Sequence, residues 1–218
     1  MLYADRIEAG RALIEPLARF RGTDAVVLAL PRGGVPVAAE VARALDLPLG
    51  LALVRKVGLP EQPELAVAAL AGPEGETLVV NSDVADMAGL SPARIDALAA
   101  SQRAELARRR ALWLGAHPVP ALRNRPVILV DDGLATGATM RAAVAWARAQ
   151  GASEIVAAVP VGAPQAVAAL LALADSVVCP HAPDGFRAVG LHYRDFRQTD
   201  DAEVRALLDA HRAAKPDA

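Results

Sequence analysis

The chain has 218 residues, of which 54% are hydrophobic and 3% aromatic, and its formal net charge is −2. This length suffices for one domain with its own core, and the charge argues against a global basic field for nucleic acid. No uncharged apolar run is long enough to span a membrane, the first residues do not resemble a signal peptide, and the single cysteine, Cys179, excludes an internal disulfide. We therefore expect a cytoplasmic protein without a membrane segment.

Hydrophobic spacing predicts alternating helices and strands. Apolar residues that recur every three or four positions indicate helices, and short apolar runs bounded by turn residues indicate strands. Ser91 and Pro92 mark the start of the longest helix, and the charged residues of this helix and of the first one are assigned to solvated faces. In chain order we predict a helix over 3–20, a strand over 25–30, a helix over 35–45, strands over 49–54, 66–71 and 77–80, a helix over 91–114, a strand over 127–130, a helix from about 140, a strand over 154–159, a helix ending near 173, a strand over 176–179 and a helix over 200–211.

The loop after the first strand suits a phosphate group. It reads Pro31-Arg32-Gly33-Gly34 and leads directly into a helix. Glycines let a ligand approach main-chain amides, and the planar guanidinium of Arg32 matches phosphate oxygens. A tight turn with a surface arginine is the alternative interpretation.

Two cations, Arg55 and Lys56, follow the second predicted strand. Neighbouring side chains of an extended segment point to opposite sides. We therefore expect only one of the two to reach a ligand in this region. A solvated basic pair at the end of a strand is the alternative.

The most informative segment is Val127-Ile-Leu-Val-Asp131-Asp132-Gly-Leu-Ala-Thr-Gly-Ala-Thr139. Its four apolar residues suit a central parallel strand that is covered on both faces. The two aspartates then lie at the carboxyl end of the strand, where open α/β sheets bind ligands. The loop that follows leads into a helix, and a helix start of this kind binds anions. A polyol phosphate fits both the acidic pair and the loop, because the carboxylates accept from its hydroxyls while the loop amides hold its phosphate.

Other sites also contain acidic residues at strand ends. Receiver domains of response regulators need a further Asp at the end of a later strand and then a Lys, but Asp175 precedes its apolar run and no Lys follows until Lys215. The Walker pattern and the GxGxxG dinucleotide pattern are absent. A purely structural helix cap would leave two adjacent carboxylates without a partner, which is rare for buried charges.

All thirteen positions over 127–139 resemble the phosphoribosyl pyrophosphate (PRPP) motif of the type I phosphoribosyltransferases. The resemblance implies an α/β, Rossmann-like core with a central, mostly parallel sheet flanked by helices. It also implies that the two aspartates contact the ribose 2′ and 3′ hydroxyls and that the loop binds the 5′-phosphate. The residues assigned to these contacts are Asp131, Asp132, Gly133, Leu134, Ala135, Thr136, Gly137, Ala138 and Thr139.

Residues 30–36 resemble the pyrophosphate loop of xanthine-guanine phosphoribosyltransferases, which often contains a cis peptide bond that is not at proline. The resemblance implies a pyrophosphate contact by this basic pair, and we choose Lys56 over Arg55 for it. Lys56 is also assigned as a catalytic residue, together with the two aspartates. Residues 57–64 would belong to a mobile loop that closes over the site. The residues assigned to pyrophosphate are Arg32, Gly33, Gly34, Arg55 and Lys56.

The tail over 180–199 resembles the base-binding hood of hypoxanthine-guanine phosphoribosyltransferases. Phe186 corresponds to an aromatic residue that stacks on the purine, and Tyr193 completes the pattern. A flat ring against a flat heterocycle is favourable, while a core role for Phe186 is the alternative. Ala135 replaces an acid that contacts a purine nitrogen in those enzymes, and this version of the loop resembles that of adenine phosphoribosyltransferases. The two resemblances point to different purines, so the sequence does not name the base.

The family resemblance implies one domain over 1–218, with a helical insertion over 57–125 and a small C-terminal hood. It implies transfer of the 5-phosphoribosyl group from PRPP to a nitrogenous base in nucleotide salvage, with release of pyrophosphate. The implied cofactor is Mg²⁺, held mainly through PRPP and water because this ion keeps several waters, and a homodimer is expected. Two other functions stay open, which are a non-catalytic regulator that senses PRPP or a nucleotide and transfer to a non-purine acceptor.

Overall fold

Two sheets and seven α-helices form the regular structure of residues 2–59, 61–62, 65–115 and 119–214, which this computed structural model describes. The helices are α1 (Arg6–Arg11), α2 (Gly34–Leu45), α3 (Ser82–Met87), α4 (Pro92–Leu114), α5 (Ala138–Ala149), α6 (Pro164–Leu170) and α7 (Asp201–Ala213). The strands are β1 (Val26–Ala29), β2 (Leu49–Leu51), β3 (Val54–Gly58), β4 (Ala66–Ala71), β5 (Thr77–Val80), β6 (Pro126–Val130), β7 (Glu154–Ala158) and β8 (Ser176–Val178). Most predicted elements are confirmed to within two residues at each end, whereas α3 was not predicted.

Strand β6 is the centre of a five-stranded parallel sheet with the order β2-β1-β6-β7-β8. Its residues alternate between two cores: Ile128 and Val130 pack on the side of α2 and α7, and Val127 and Leu129 pack on the side of α5 and α6. All four side chains are fully buried. A strand covered on both faces is apolar throughout, which explains the uninterrupted apolar run. The expected α/β fold with helices on both faces is confirmed.

A second sheet, antiparallel and with the order β3-β4-β5, packs against α4 and α5. The predicted strand over 49–54 is wrong as one element, because the chain leaves the parallel sheet after β2 and enters the second sheet at Val54. Ala52 and Leu53, between the two strands, are buried. Since the apolar run continues through the change of sheets, hydrophobic pattern alone could not reveal it.

The segment predicted to be a mobile loop, 57–64, begins inside a strand. Strand β3 continues to Gly58, with a shift of register between Val57 and Gly58 opposite β4. Strand structure therefore includes the first two residues of the predicted loop, and the closure of this segment over the site stays a prediction. Pro60 and 63–64 of the predicted loop lie outside the described residues.

The first helix is much shorter than predicted. Helix α1 ends at Arg11, turns follow, and a 3-10 helix covers Ala18–Phe20. Pro16 explains the break, because proline lacks an N–H and its ring clashes with the preceding turn of a helix. Leu13 and Leu17 still reach the core and Ile14 packs against it, as expected, whereas Ile7, expected on the same apolar face, is exposed. Within the described residues, no helix combines the length and apolar character needed to cross a membrane.

Candidate active site

Three loops meet where the parallel strands β1, β6 and β7 end. The Leu30 N–H donates to the Val130 carbonyl at 2.8 Å, which joins the loop after β1 to the loop after β6. The Leu134 N–H donates to the Val161 carbonyl at 2.9 Å, which joins the loop after β6 to the loop after β7. Open parallel sheets bind ligands at this edge. The acidic pair, Asp131 and Asp132, lies between the two junctions.

Each carboxylate of the acidic pair has one oxygen held by the protein. Asp131 Oδ1 accepts from the Asp132 N–H at 2.9 Å. Asp132 Oδ2 accepts from Arg6 Nε at 2.8 Å and lies 2.7 Å from Arg6 Nη2. The other oxygens, Asp131 Oδ2 and Asp132 Oδ1, accept from no donor in the part of the chain that the structure describes. Two neighbouring carboxylate oxygens are thus available to a ligand that carries hydroxyl donors.

Burial and mutual repulsion disfavour the two negative charges of the acidic pair. Burial, and then the charge of Asp132, raise the pKa of Asp131 well above its ordinary value. Burial also raises the pKa of Asp132, while the guanidinium of Arg6 lowers it. A cation beside one member of the pair therefore offsets part of the cost of two adjacent buried charges.

Arg6 is a residue that the sequence analysis missed. The charged residues of the first helix were assigned to a solvated face, but the Arg6 side chain is only 11% exposed, so that assignment is wrong for Arg6. A signal was present in the sequence. A cation in the first turn of a helix opposes the helix dipole, and Arg6 is the first residue of α1. An arginine there indicates a partner outside the helix.

The loop over 31–34 packs directly against the acidic pair. Its Pro31–Arg32 peptide bond is cis, as the resemblance implied. A Cβ atom added to Gly33 would lie 2.7 Å from Asp132 Cγ and closer still to Oδ2. Only a glycine leaves room for this contact. The expectation of a free amide is wrong for Gly34, because its N–H donates to the Leu30 carbonyl at 3.0 Å.

Arg32 lies beside α7 as well as the predicted pyrophosphate site. Its Nη1 is 3.6 Å from Asp201 Oδ1, and both side chains are partly exposed. The same Asp201 oxygen accepts from the Trp113 indole N–H at 3.0 Å. A cation that is paired at this distance and partly exposed can exchange its partner for a ligand anion, since such pairs contribute little stability.

The loop over 133–137 presents a run of unpaired amides. The N–H groups of Gly133, Ala135, Thr136 and Gly137 donate to no acceptor within the described ranges. Helix α5 begins at the next residue, so the positive end of its dipole faces the same space. Gly137 has a φ of 75°, a conformation that favours glycine. Amides and a helix start together suit a phosphate group.

Arg55 and Lys56 point to different sides, as predicted for an extended segment. Arg55 Nε donates to Gln102 on α4 at 3.1 Å. Lys56 is exposed and lines a cleft between β4, β5 and the start of α5, together with Ala138 and Arg141. Of the two cations, Lys56 is the one that shares a cleft with the start of α5. Arg141 was not singled out in the sequence, although a cation in the first turn of α5 gives the same signal as Arg6.

The tail holds the loop after β6 in place. Val189 covers Gly133, where an added Cβ atom would lie 2.7 Å from Val189 Cγ2. The Tyr193 hydroxyl donates to the Asp132 carbonyl at 2.6 Å, and its ring is buried. Burial, and then the Asp132 charge, raise the pKa of Tyr193. This geometry gives Tyr193 a structural task, while its contact with a base stays a prediction.

Phe186 is the other aromatic residue that was assigned to the base. It is half-buried, and its ring stacks on the His192 ring with centroids 5.5 Å apart and an interplanar angle of 9°. His181 lies edge-on to the same imidazole at 5.2 Å. Burial is the main cause that lowers the pKa of His181, with His192 contributing. The tail thus forms a small aromatic cluster beside the end of β8.

Mg²⁺ prefers hard oxygen donors and keeps several waters. Among the described residues, no group of three or more His, Cys, Asp or Glu side chains is arranged to hold a metal. An ion held mainly through PRPP and water fits this site, because the free oxygens of the acidic pair are left to the hydroxyls of the sugar.

Comparisons with known proteins agree with this geometry. A family model described as "Phosphoribosyl transferase domain" matches residues 4–194. Rv0571c and MT0597, from two strains of Mycobacterium tuberculosis and both named provisionally as phosphoribosyl transferases, are each 49% identical over 97% of this chain. The chain spans 47% of their length.

Among solved structures, TT1426 from Thermus thermophilus is 42% identical and has a TM-score of 0.81. The match covers 95% of this chain and 98% of that one. The matched family region contains the acidic pair, the loop over 31–34 and most of the tail. The chain therefore belongs to the type I phosphoribosyltransferase family.

Proposed function

We propose that the chain transfers the 5-phosphoribosyl group of PRPP to a ring nitrogen of a nitrogenous base and releases pyrophosphate. One observation carries this proposal: two neighbouring carboxylates each keep one oxygen unbonded, directly before a loop of unpaired amides. Vicinal hydroxyls and a phosphate on one sugar match these two features. A ligand with only one of these features would leave half of the site unused.

The acidic pair orients the sugar and acts on the charge that develops during transfer. The bond from C1 to the pyrophosphate oxygen breaks and its electron pair stays with the pyrophosphate, a bond from C1 to the acceptor nitrogen forms, and the proton that the acceptor loses passes to solvent. Positive charge grows on the ribose ring near Asp131 and Asp132, and pre-oriented charges of opposite sign favour such a state. Loop amides at 133–137 hold the 5′-phosphate, which fixes C1 relative to both partners.

The leaving pyrophosphate takes up the negative charge. Arg32 and the Gly33 amide lie on the loop after β1, and Lys56 faces the cleft at the start of α5. Donors of this kind stabilise a departing phosphate group. Mg²⁺, when bound through PRPP and water, would neutralise charge on the pyrophosphate oxygens.

The acceptor side is supported by the tail. Phe186 is half-buried and stacks on His192, and a planar base is the acceptor that we assign to the exposed part of its ring. Ala135 is exposed on the loop and supplies no carboxylate to a purine nitrogen. We therefore infer a heterocyclic base that does not need an acid at this position. Salvage of such a base, in a homodimeric protein, is the biological setting we propose.

Pyrophosphate release tests the proposal. The protein is incubated with PRPP, Mg²⁺ and each of a panel of purine and pyrimidine bases, and pyrophosphate is measured by a coupled assay. We expect release that depends on one class of base and is lost in Asp131→Asn. The matched control is Asp24→Asn, at an exposed residue that precedes β1 and so lies at the opposite end of the parallel sheet, and it should keep full activity.

Binding measured in parallel separates an enzyme from a sensor. PRPP should raise the melting temperature of the protein, because a ligand that binds only the folded state stabilises it. Stabilisation by PRPP without pyrophosphate release with any base would favour a regulator that senses PRPP. If PRPP neither stabilises the protein nor yields pyrophosphate with any base, the assignment of the site is refuted.

A further inference from the structure

We propose that Arg6 is a positioning residue of the active site, which holds Oδ2 of Asp132 so that its free oxygen, Oδ1, can accept from the sugar. The inference rests on the proposed function, and it adds a residue from the first helix to the machinery. Arg6 acts through Asp132 and not on the substrate.

Each of the three nitrogens of the Arg6 guanidinium group has a partner in the protein. Nε and Nη2 both approach Asp132 Oδ2, at 2.8 and 2.7 Å, and Nη1 donates to the Arg197 carbonyl at 2.7 Å. The Phe196 ring covers one face, with its centroid 4.1 Å from Cζ. A planar fork with fixed partners on three sides has little freedom to move. The carboxylate that it holds is therefore fixed as well.

Arg6 contacts only one of the two carboxylate oxygens of Asp132, which distinguishes this ion pair from a bidentate one. Both donors take Oδ2, whereas a bidentate pair would take both carboxylate oxygens. Oδ1 of Asp132 is left for a ligand, as is Oδ2 of Asp131. The side chains of Arg6 and Asp132 are 11% and 14% exposed. A structural ion pair would gain more by using both oxygens.

The charges around Asp132 explain why a cation is needed. The ionisable groups that face it are Asp131 from its own loop, Arg6 from α1 and the Tyr193 hydroxyl from the tail. Asp131 repels a charge on Asp132, and the tyrosine is neutral at physiological pH, as tyrosines ordinarily are, with burial raising its pKa further. Arg6 is the cation among these three. Without it, the pKa of Asp132 would rise further, and a protonated Asp132 would accept less well from a hydroxyl.

Two substitutions at Arg6 test the proposal. Arg6→Met removes the charge, and Arg6→Lys keeps the charge but loses the fork. Arg11→Met, on the same helix, is the matched control, because its side chain is 63% exposed and its ion-pair partner among the described residues is Glu40. Three quantities are measured for each protein: the KM for PRPP and the kcat as functions of pH, the melting temperature, and the carboxyl titration of Asp132 by ¹³C NMR without ligand.

We expect Arg6→Met to raise the KM for PRPP roughly tenfold or more, since hydrogen bonds to charged groups are lost. Its Asp132 titration and the acidic limb of kcat/KM should both shift to higher pH. Arg6→Lys should restore the titration in part, but not the KM. Arg11→Met should match the wild type in all three quantities.

The NMR titration keeps this inference separable from the proposed function. A shifted Asp132 titration with no catalysis in any variant would refute phosphoribosyl transfer but retain the action of Arg6 on Asp132. An unshifted titration, or an unchanged KM in a folded Arg6→Met protein, would overturn the positioning role. If Arg6→Met does not fold, Arg6→Lys decides: a KM equal to that of the wild type would overturn the role.

Discussion

Replacing Gly33 with alanine places a methyl group against the acidic pair. The added Cβ atom would lie 2.7 Å from Asp132 Cγ, whereas ordinary contacts lie at 3.4–4 Å. The carboxyl carbon must therefore recede by roughly 0.7 Å, and the nearer oxygen by more. A displacement of that size disrupts the contacts to Arg6, now 2.7 and 2.8 Å, because such hydrogen bonds require about 2.7–3.2 Å.

The sign of the change in the free energy of unfolding shows which of two opposing effects of Gly33→Ala is larger. Gly33 has φ −61° and ψ −34°, which alanine adopts without strain. On backbone grounds alone, the substitution should stabilise the protein by about 0.4–1 kcal/mol. Weakening two charge-assisted hydrogen bonds, each contributing about 1.5–3 kcal/mol, acts in the opposite direction. We expect a net loss of about 1–3 kcal/mol in the free energy of unfolding and a weaker affinity for PRPP.

Urea unfolding and PRPP titration measure the two effects of Gly33→Ala. The control is Gly185→Ala, because a Cβ atom at Gly185 meets no atom within 4 Å and its φ is not positive. The control should keep the wild-type affinity and lose no stability. A Gly33→Ala protein that is more stable than the wild type and binds PRPP equally well would refute the proposed contact between the loop and Asp132.

Three further predictions follow from charges around the site and on the long helix. Asp131→Asn should raise the melting temperature at neutral pH, because the raised pKa means that ionised Asp131 destabilises the fold, and it should weaken PRPP binding about tenfold or more in titrations. Asp201→Asn removes the partner charge of Arg32 and should tighten pyrophosphate binding up to about fivefold, as measured by calorimetry. Hydrogen bonds from Arg108 and Arg109 lower the pKa of Glu105 to about 2. This carboxylate therefore contributes stability that is lost as the pH falls from 4.5 to about 2, and Glu105→Gln should lack that part of the loss in urea titrations.

Each of these predictions has an outcome that contradicts it. An Asp131→Asn protein with a lower melting temperature would mean that the carboxylate stabilises the fold. For Asp201→Asn, the control is Asp209→Asn on the same helix, which is 62% exposed and should leave pyrophosphate affinity unchanged. Equal gains in both variants would indicate a general charge effect. If wild type and Glu105→Gln lose stability equally in acid, the Glu105 pairs do not contribute.

The central part of the site was readable from sequence because its signals are local. The run from Val127 to Thr139 joins a buried strand, two acids and a helix start in consecutive residues, so strand period and chain order are enough to place Asp131 and Asp132 at a sheet edge. The loop at Arg32 and Gly33 follows from the same reasoning. Both segments lie at strand ends that the fold brings together.

Features that depend on distant contacts were not readable in this way. Arg6 meets Asp132 across 126 positions of the chain, and nothing near Arg6 names that partner. Tyr193 matched the pattern of a base-binding residue, but its burial and its bond to the Asp132 carbonyl come from packing of the tail on the loop. The change of sheets after Leu51 occurs inside an apolar run, where both sheets need the same residue types.

The central strand and the loop that follows it should differ sharply in hydrogen exchange. Residues 127–130 are buried on both faces and bonded to strands on both sides, so their amides should exchange only when the whole molecule opens. The amides of Ala135 and Thr136 have no protein acceptor in the described structure and should exchange rapidly until a phosphate protects them. Slowly exchanging strand amides and rapidly exchanging loop amides thus lie only a few residues apart. This difference lets the loop adapt to a ligand without disturbing the strand that supports it.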